Sequence, residues 1–127
     1  MATFELEVNA AANPITMNVS TGKYTAPPSS TVNVKLSASG TDSGSTFVSV
    51  STAPGNGGSF LGGATAQWNP GAIDVFSFVM PLSGEVWFYG RHDLGIGGSK
   101  SNASQLQITN GSNITTVSFN YDNPLQL

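Results

Sequence analysis

Residues 74–91 read DVFSFVMPLSGEVWFYGR, two strand-like apolar runs on either side of a turn sequence. If the PLSG segment forms the loop of a hairpin, Phe78 lies opposite Trp87 and Phe76 lies opposite Tyr89. The pairing places these four rings on one face and leaves a second apolar set on the other: Val75, Val79, Val86 and Phe88. A two-layer fold has one interior, so the second apolar face needs a cover. That cover could be a loop of this chain, a neighbouring subunit or a sugar.

The rest of the chain also alternates apolar and polar residues with the two-residue period of half-buried strands. The clearest runs cover residues 4–8, 15–19 and 32–36, and a shorter one covers residues 46–52. The Gly-rich segments 53–63 and 94–101 are predicted to be loops.

Two further strands are predicted around the sequence Asn-Gly-Ser-Asn at residues 110–113. A four-residue loop there sets Leu106 against Val117 and Ile108 against Thr115, and this apolar match fixes the register. In total, about eight or nine short strands at regular spacing indicate an all-β fold. We expect one domain over residues 1–127, an antiparallel two-layer β-sandwich of immunoglobulin-like or jelly-roll type.

The runs FSFVMP (residues 76–81) and EVWFYG (residues 85–90) resemble the closing hairpin of bacterial and phage immunoglobulin-like domains. Those domains often carry an aromatic-x-aromatic-x-Met-Pro strand end, a short polar turn and an alternating final strand. Residues 32–36 are similar to an early core strand of the same fold. The resemblance implies a role in adhesion, display or virion decoration, and it brings no catalytic residues with it.

The composition argues against nucleic-acid binding and against insertion into a membrane. Only 9% of the 127 residues are charged, against about a quarter in ordinary soluble domains, and the net charge is −3. The four cationic side chains are scattered along the chain, so no basic patch is available for nucleic acid. No apolar run approaches the length of a membrane span, and the first residues lack the pattern of a cleaved signal peptide.

Three segments resemble catalytic or phosphate-binding motifs. The Asp-Ser-Gly at residues 42–44 is similar to that of aspartic proteases, but no buried apolar strand directly precedes it, which favours a turn. His92, the only histidine, adjoins Asp93, and strand neighbours point to opposite sides, so Asp93 cannot orient His92 in a serine triad. Residues 95–101 lack the Gly-Lys-Ser/Thr of a phosphate loop.

No cofactor or metal is predicted. The chain has no cysteine, and its four aspartates, which could hold a calcium ion only through a loop-built site, are far apart in sequence: Asp42, Asp74, Asp93 and Asp122. The sequence therefore predicts a protein that is not an enzyme.

We expect a structural protein of a larger assembly, in its most specific form a phage virion decoration (capsid cement) or tail component. It would associate with itself and with other assembly subunits, in a virion or an extracellular assembly. The alternative is a carbohydrate-binding module or lectin that holds a glycan on an aromatic platform. Both hypotheses use the same candidate residues: Phe60, Trp68, Phe76, Phe78, Trp87 and Tyr89.

Overall fold

The computed structural model describes residues 3–8, 17–41, 43–69, 71–94 and 102–119. These residues form nine strands: β1 (Thr3–Val8), β2 (Met17–Thr25), β3 (Thr31–Gly40), β4 (Gly44–Ala53), β5 (Gly57–Gln67), β6 (Ala72–Val79), β7 (Glu85–Leu94), β8 (Asn102–Asn110) and β9 (Asn113–Phe119). The part of the chain that is described offers no helix with the length and apolarity that a membrane crossing requires.

The strands build two antiparallel sheets that face each other. The five-stranded sheet has the order β1-β2-β7-β4-β5, and the four-stranded sheet has the order β6-β3-β8-β9. The prediction of an antiparallel two-layer β-sandwich is confirmed. Successive strands often change sheet, as β5, β6 and β7 do, so neighbours in sequence are separated by the core.

The core lies between the sheets and is filled by alternate residues of the strands. In β3, at the middle of its sheet, Val32, Val34 and Leu36 point inward while the residues between them are exposed. Each such side chain contributes about 1.5–3 kcal/mol when fully buried. A chain of aromatic contacts crosses the core, with ring centroids 5.8 Å apart for Tyr24–Phe88 and 6.2 Å for Phe88–Phe78.

The predicted hairpin of residues 74–91 is wrong, although its turn exists. Gly84 N–H donates to the Pro81 carbonyl at 2.9 Å, which closes the turn. The two flanks then bind a different segment, since Met80 N–H donates to Ser30 O at 2.8 Å and Ala26 N–H donates to Gly84 O at 3.1 Å. As a result β6 enters the four-stranded sheet beside β3, and β7 enters the five-stranded sheet between β2 and β4.

This change of sheet regroups the apolar residues of the segment. The inward set joins members of both predicted faces: Phe76, Phe78, Val86 and Phe88. The outward residues are divided between opposite surfaces of the molecule, with Val75 and Val79 on one and Trp87 and Tyr89 on the other. The two strands are apolar on both sides, as the sequence indicates, but they do not form one platform.

Residues 53–63, predicted to be a loop, instead contain the first part of β5. Glycine has a packing role in this strand. A Cβ at Gly62 would lie 2.6 Å from Cδ2 of Phe76, so only glycine allows the Phe76 ring to lie across β5. The other predicted loop begins with Leu94, the last residue of β7, and its residues 95–101 lie outside the described ranges.

The register predicted for β8 and β9 is confirmed. Leu106 pairs with Val117 and Ile108 pairs with Thr115. Leu106, Ile108 and Val117 are all buried, so the apolar pattern determines the register, as expected.

Candidate binding surfaces

Three of the six candidate aromatic residues do not lie on an open surface. Trp68 is 0% exposed and Phe78 is 6% exposed, and both belong to the core. Phe76 is half-buried and packs against the core beside Gly62. The placement of Trp68 and Phe78 on an exposed platform is therefore wrong, because both side chains point between the sheets.

The other three candidates lie together on the outer surface of the five-stranded sheet. Trp87 and Tyr89 are half-buried outward residues of β7, and Phe60 on β5 is 64% exposed. Phe47, on β4, joins them as a fourth ring that the sequence analysis missed. We call this surface the aromatic face and define it by four rings and two ion pairs: Phe47, Phe60, Trp87, Tyr89, Lys23–Glu85 and Arg91–Asp93.

Strand pairing places two serines of β4 between these rings. Ser51 pairs with Trp87 on one side and with Phe60 on the other, and Ser49 is flanked by Tyr89 and Gly63. Both serines are buried although they point outward, so their larger neighbours cover them. With strands about 4.8 Å apart, the backbones at Phe60 and Trp87 are separated by about 10 Å across Ser51. The result is a broad, shallow platform.

Local contacts hold the β5 side of this platform. A Cβ at Gly63 would lie 3.3 Å from Cζ of Phe60, so the Phe60 ring lies close above the glycine. Ser49 Oγ donates to Oδ1 of Asn56 at 2.8 Å, which brings the turn between β4 and β5 back onto the sheet. Phe60 is thus supported from below, although most of its surface is open to solvent.

Paired charges lie among the rings. Lys23 Nζ is 2.7 Å from Oε2 of Glu85 and 6.0 Å from the ring centroid of Trp87. The strand pairings show how these contacts arise, since Lys23 on β2 lies opposite Trp87 on β7, two residues from Glu85 on the same face. The ammonium group is therefore held between a carboxylate and an aromatic ring.

In the second ion pair, too, the cation lies between a carboxylate and an aromatic ring. Arg91 Nε is 3.0 Å from Oδ2 of Asp93, and Arg91 Cζ is 4.6 Å from the ring centroid of Phe47. Burial lowers the pKa of Arg91, but the hydrogen bonds and charges of Asp93 and, to a smaller extent, Tyr89 more than offset it, so the pKa is raised overall. Two of the four cations of the chain are thus paired on one aromatic surface.

A different surface covers the outside of the four-stranded sheet at its β6 edge. Here Ile73 is 67% exposed, Val75 64% and Val79 58%. We call these three side chains the aliphatic strip. A depression of about 290 Å³ lies beside Val75 and is also lined by Lys35, Ser77 and other residues of β3 and β8. The two-sided apolarity of residues 75–79 indicated such a surface, but the hairpin hypothesis placed it incorrectly.

Asp74 closes the corner where β5 and β6 meet. Its Oδ2 accepts a hydrogen bond from Thr65 N–H of β5 at 3.1 Å, and its Oδ1 accepts one from Val75 N–H of β6 at 3.0 Å. One carboxylate therefore occupies donors on two edge strands, one from each sheet. An edge that is blocked in this way cannot pair with another strand at that point.

A polar cluster connects the two sheets inside the core. Trp68 Nε1 donates to Thr46 Oγ1 at 2.9 Å, and Thr46 Oγ1 is 2.7 Å from Ser104 Oγ. Thr46 belongs to the five-stranded sheet and Ser104 to the four-stranded sheet. These hydrogen bonds satisfy polar groups that would be costly to bury alone.

His92 lies next to this cluster, fully buried, with its ring centroid 6.3 Å from that of Trp68. Burial lowers the pKa of His92 to about 4, against a smaller opposing effect of Asp93. Asp93 itself points to the outer face, where it pairs with Arg91. The prediction that the two neighbours point to opposite sides, which argues against a serine triad, is confirmed.

The other motifs considered for chemistry fall outside the described residues, namely Asp42 and residues 95–101. Within the described ranges, no three His, Asp or Glu side chains come close enough to hold a metal ion.

Comparisons with known proteins assign the chain to no family. No family model matches it, and no curated protein matches it. CsgH of R. palustris, solved in solution, is similar over 94% of this chain and 92% of its own, with 16% identity and a TM-score of 0.42. A CBM4 structure is similar over 98% of this chain and 86% of its own, with 9% identity and a TM-score of 0.43. Neither likeness is strong enough to carry a statement about binding or assembly.

Proposed function

We propose that this chain is a non-enzymatic structural subunit of a larger assembly, held there through the aliphatic strip. The observation that carries the proposal is the exposure of Ile73, Val75 and Val79 on one side of an edge strand. Removing aliphatic side chains from water lowers the free energy of the system. Large exposed apolar patches therefore mark interaction sites.

The surroundings of the strip favour contact between like copies. Among the described outward residues of the four-stranded sheet, Lys35 is the one charged side chain, and the others are neutral polar or apolar. Identical subunits can therefore approach on this side with little like-charge repulsion. The depression beside Val75 offers a recess for the aliphatic side chains of a second copy.

The strip is strong enough to contribute to an interface but too small to hold one copy tightly. Burying the exposed parts of three aliphatic side chains contributes on the order of 4 kcal/mol. A one-to-one complex loses a comparable or larger amount in rigid-body freedom. Tight attachment would then come from many weak contacts in a closed or repeating arrangement.

A double substitution, Val75→Thr with Val79→Thr, tests this interface. Threonine keeps the branched shape and strand preference of valine but favours water. We expect the wild-type chain to self-associate with rising concentration in sedimentation equilibrium, and the double variant to dissociate about tenfold more readily. Ile114→Thr is the matched control, since Ile114 is 59% exposed at the opposite edge of the same sheet. A wild type that stays monomeric, or an equal effect of the control, would contradict the proposal.

In its most specific form, the proposed assembly is a phage particle, with the chain as a decoration or tail subunit in the virion. A subunit of this kind should co-purify, in a fixed ratio to the capsid or tail protein, with particles of the phage that encodes it. Quantitative mass spectrometry of density-banded particles measures that ratio. Loss of the chain during banding, under conditions where the major capsid protein is retained, would contradict this form of the proposal.

A further inference from the structure

We propose that the aromatic face is a binding site for a neutral oligosaccharide. The site lies on the five-stranded sheet, opposite the aliphatic strip, so it is a second activity beyond the proposed assembly role. Sugar rings would stack on Phe60 and Trp87, and their hydroxyls would bind the ion-paired side chains between and beside the rings.

The first support is the arrangement of the rings. Phe60 and Trp87 lie on strands about 10 Å apart, on either side of the buried Ser51, and Tyr89 is two residues from Trp87 along β7. Small residues beneath the rings keep the platform low and open: Ser49, Ser51 and Gly63. Such a surface offers several apolar patches in a row, which suits a ligand that repeats an apolar face along its length.

The second support is hydrogen-bonding capacity at the same place. The Arg91–Asp93 pair sets guanidinium donors beside carboxylate acceptors, and Lys23–Glu85 does the same near Trp87. All four side chains are more than a third exposed, so they can reach a ligand. A sugar with neighbouring hydroxyls is both donor and acceptor, and it can bind such pairs without separating them.

The paired charges of the aromatic face also favour an uncharged ligand. Each cation of the face is matched by an anion within 3.0 Å, so the four groups sum to zero. An anionic ligand, such as a phosphate or a sulfated polymer, would have to compete with Glu85 or Asp93 for its cation. A protein partner is disfavoured because interface centres are depleted in Lys, Glu and Asp, and three of the four charged side chains of this face are of those types.

The test uses the full chain and a set of neutral hexasaccharides: cellohexaose, laminarihexaose, xylohexaose and mannohexaose. The chain has two tryptophans, of which Trp68 is fully buried and Trp87 is half-buried on the aromatic face. A ligand-dependent shift in tryptophan emission therefore reports on that face. We expect at least one of these probes to shift the emission and to bind in calorimetry. The affinity should change little between about 50 and about 500 mM NaCl, because no net charge is neutralised.

Trp87→Ala should raise the dissociation constant at least about tenfold, and Phe60→Ala should weaken binding in the same direction. Both side chains lie outside the core, and the melting temperature of each variant verifies the fold. Ile114→Thr, on the opposite sheet and outside the aliphatic strip, is the matched control and should bind as the wild type does.

Three results would overturn the proposal. The first is that none of the four probes binds. The second is that the chain binds dextran sulfate alone, with an affinity that falls steeply with salt. The third is that Trp87→Ala abolishes self-association and leaves sugar binding intact, which would make the face a protein interface. Failure of the aliphatic strip to mediate assembly is measured separately by the Val75 and Val79 variants.

Discussion

Replacing Trp68 with alanine is expected to lower the free energy of unfolding by about 4 kcal/mol, as large-to-small changes at buried aromatic residues do. The indole is fully buried, and its Nε1 donates to Thr46, which connects it to the hydrogen bonds that join the sheets. It also packs so closely on Gly44 that a Cβ there would overlap Cζ3 of the indole. A loss of this size is a large fraction of the stability of an ordinary domain. Urea unfolding measures it.

The matched control is Trp87→Ala, at the second tryptophan of the chain. Its side chain is half-buried on the outer surface, so we expect a loss of about 1–2 kcal/mol, well below that at Trp68. Equal losses at the two positions would contradict the division between a buried and a surface tryptophan.

The second large effect is a loss of stability in mild acid, caused by His92. Its pKa is near 6.5 in an unfolded chain and about 4 in the folded one, because burial disfavours the charged ring. Between these values the unfolded state binds the proton and the folded state does not. Stability is therefore complete above about pH 6.5 and falls as the pH drops towards 4, by about 3 kcal/mol in total.

Urea unfolding at intervals between pH 4 and 7 measures this loss, and the NMR titration of the His92 ring gives the folded pKa directly. His92→Gln is the control, since it removes the titrating group while keeping a polar side chain at the position. The variant should show a much flatter profile above pH 5, where most carboxylates are already ionised. A ring that titrates near 6.5 in the folded protein would contradict the expectation.

The sequence predicted the class of fold and most strands because alternation reports which side of a strand is buried. It also predicted the register of β8 and β9, where matched apolar residues left one good alignment. It could not predict that β6 and β7 separate. The turn at residues 81–84 is compatible with a hairpin. Hydrogen bonds of Met80 and Gly84 to residues 26–30, together with the pairing of β6 with β3 and of β7 with β2 and β4, hold the two strands in different sheets.

Glycine caused the other misassignment. Residues 57–63 have the composition of a flexible loop, yet they are part of a strand. In this strand Gly62 makes room for Phe76, and Gly63 lies beneath Phe60. Whether a glycine serves flexibility or close packing depends on residues far away in sequence, which a local pattern does not contain.

The sequence predicted some of the residues of the candidate site but not how they are arranged. Phe60, Trp87 and Tyr89 were named and do share one surface, but Phe47 and the two ion pairs were missed. The period of two in β7 was enough to place Arg91 and Asp93 with Trp87. Phe47 joined them only through the pairing of β4 with β7, which sequence alone did not specify.

Asp74 has a consequence for any array built from this protein. Its carboxylate binds backbone N–H groups of β5 and β6, the two edge strands at this corner of the sandwich. Another copy can therefore attach there through side chains but not through main-chain hydrogen bonds. Copies joined in this manner each keep a finished fold, so one can leave and be replaced without unravelling its neighbour. Fibril-like growth, in which each new copy pairs its main chain with the last one, therefore cannot start at this corner.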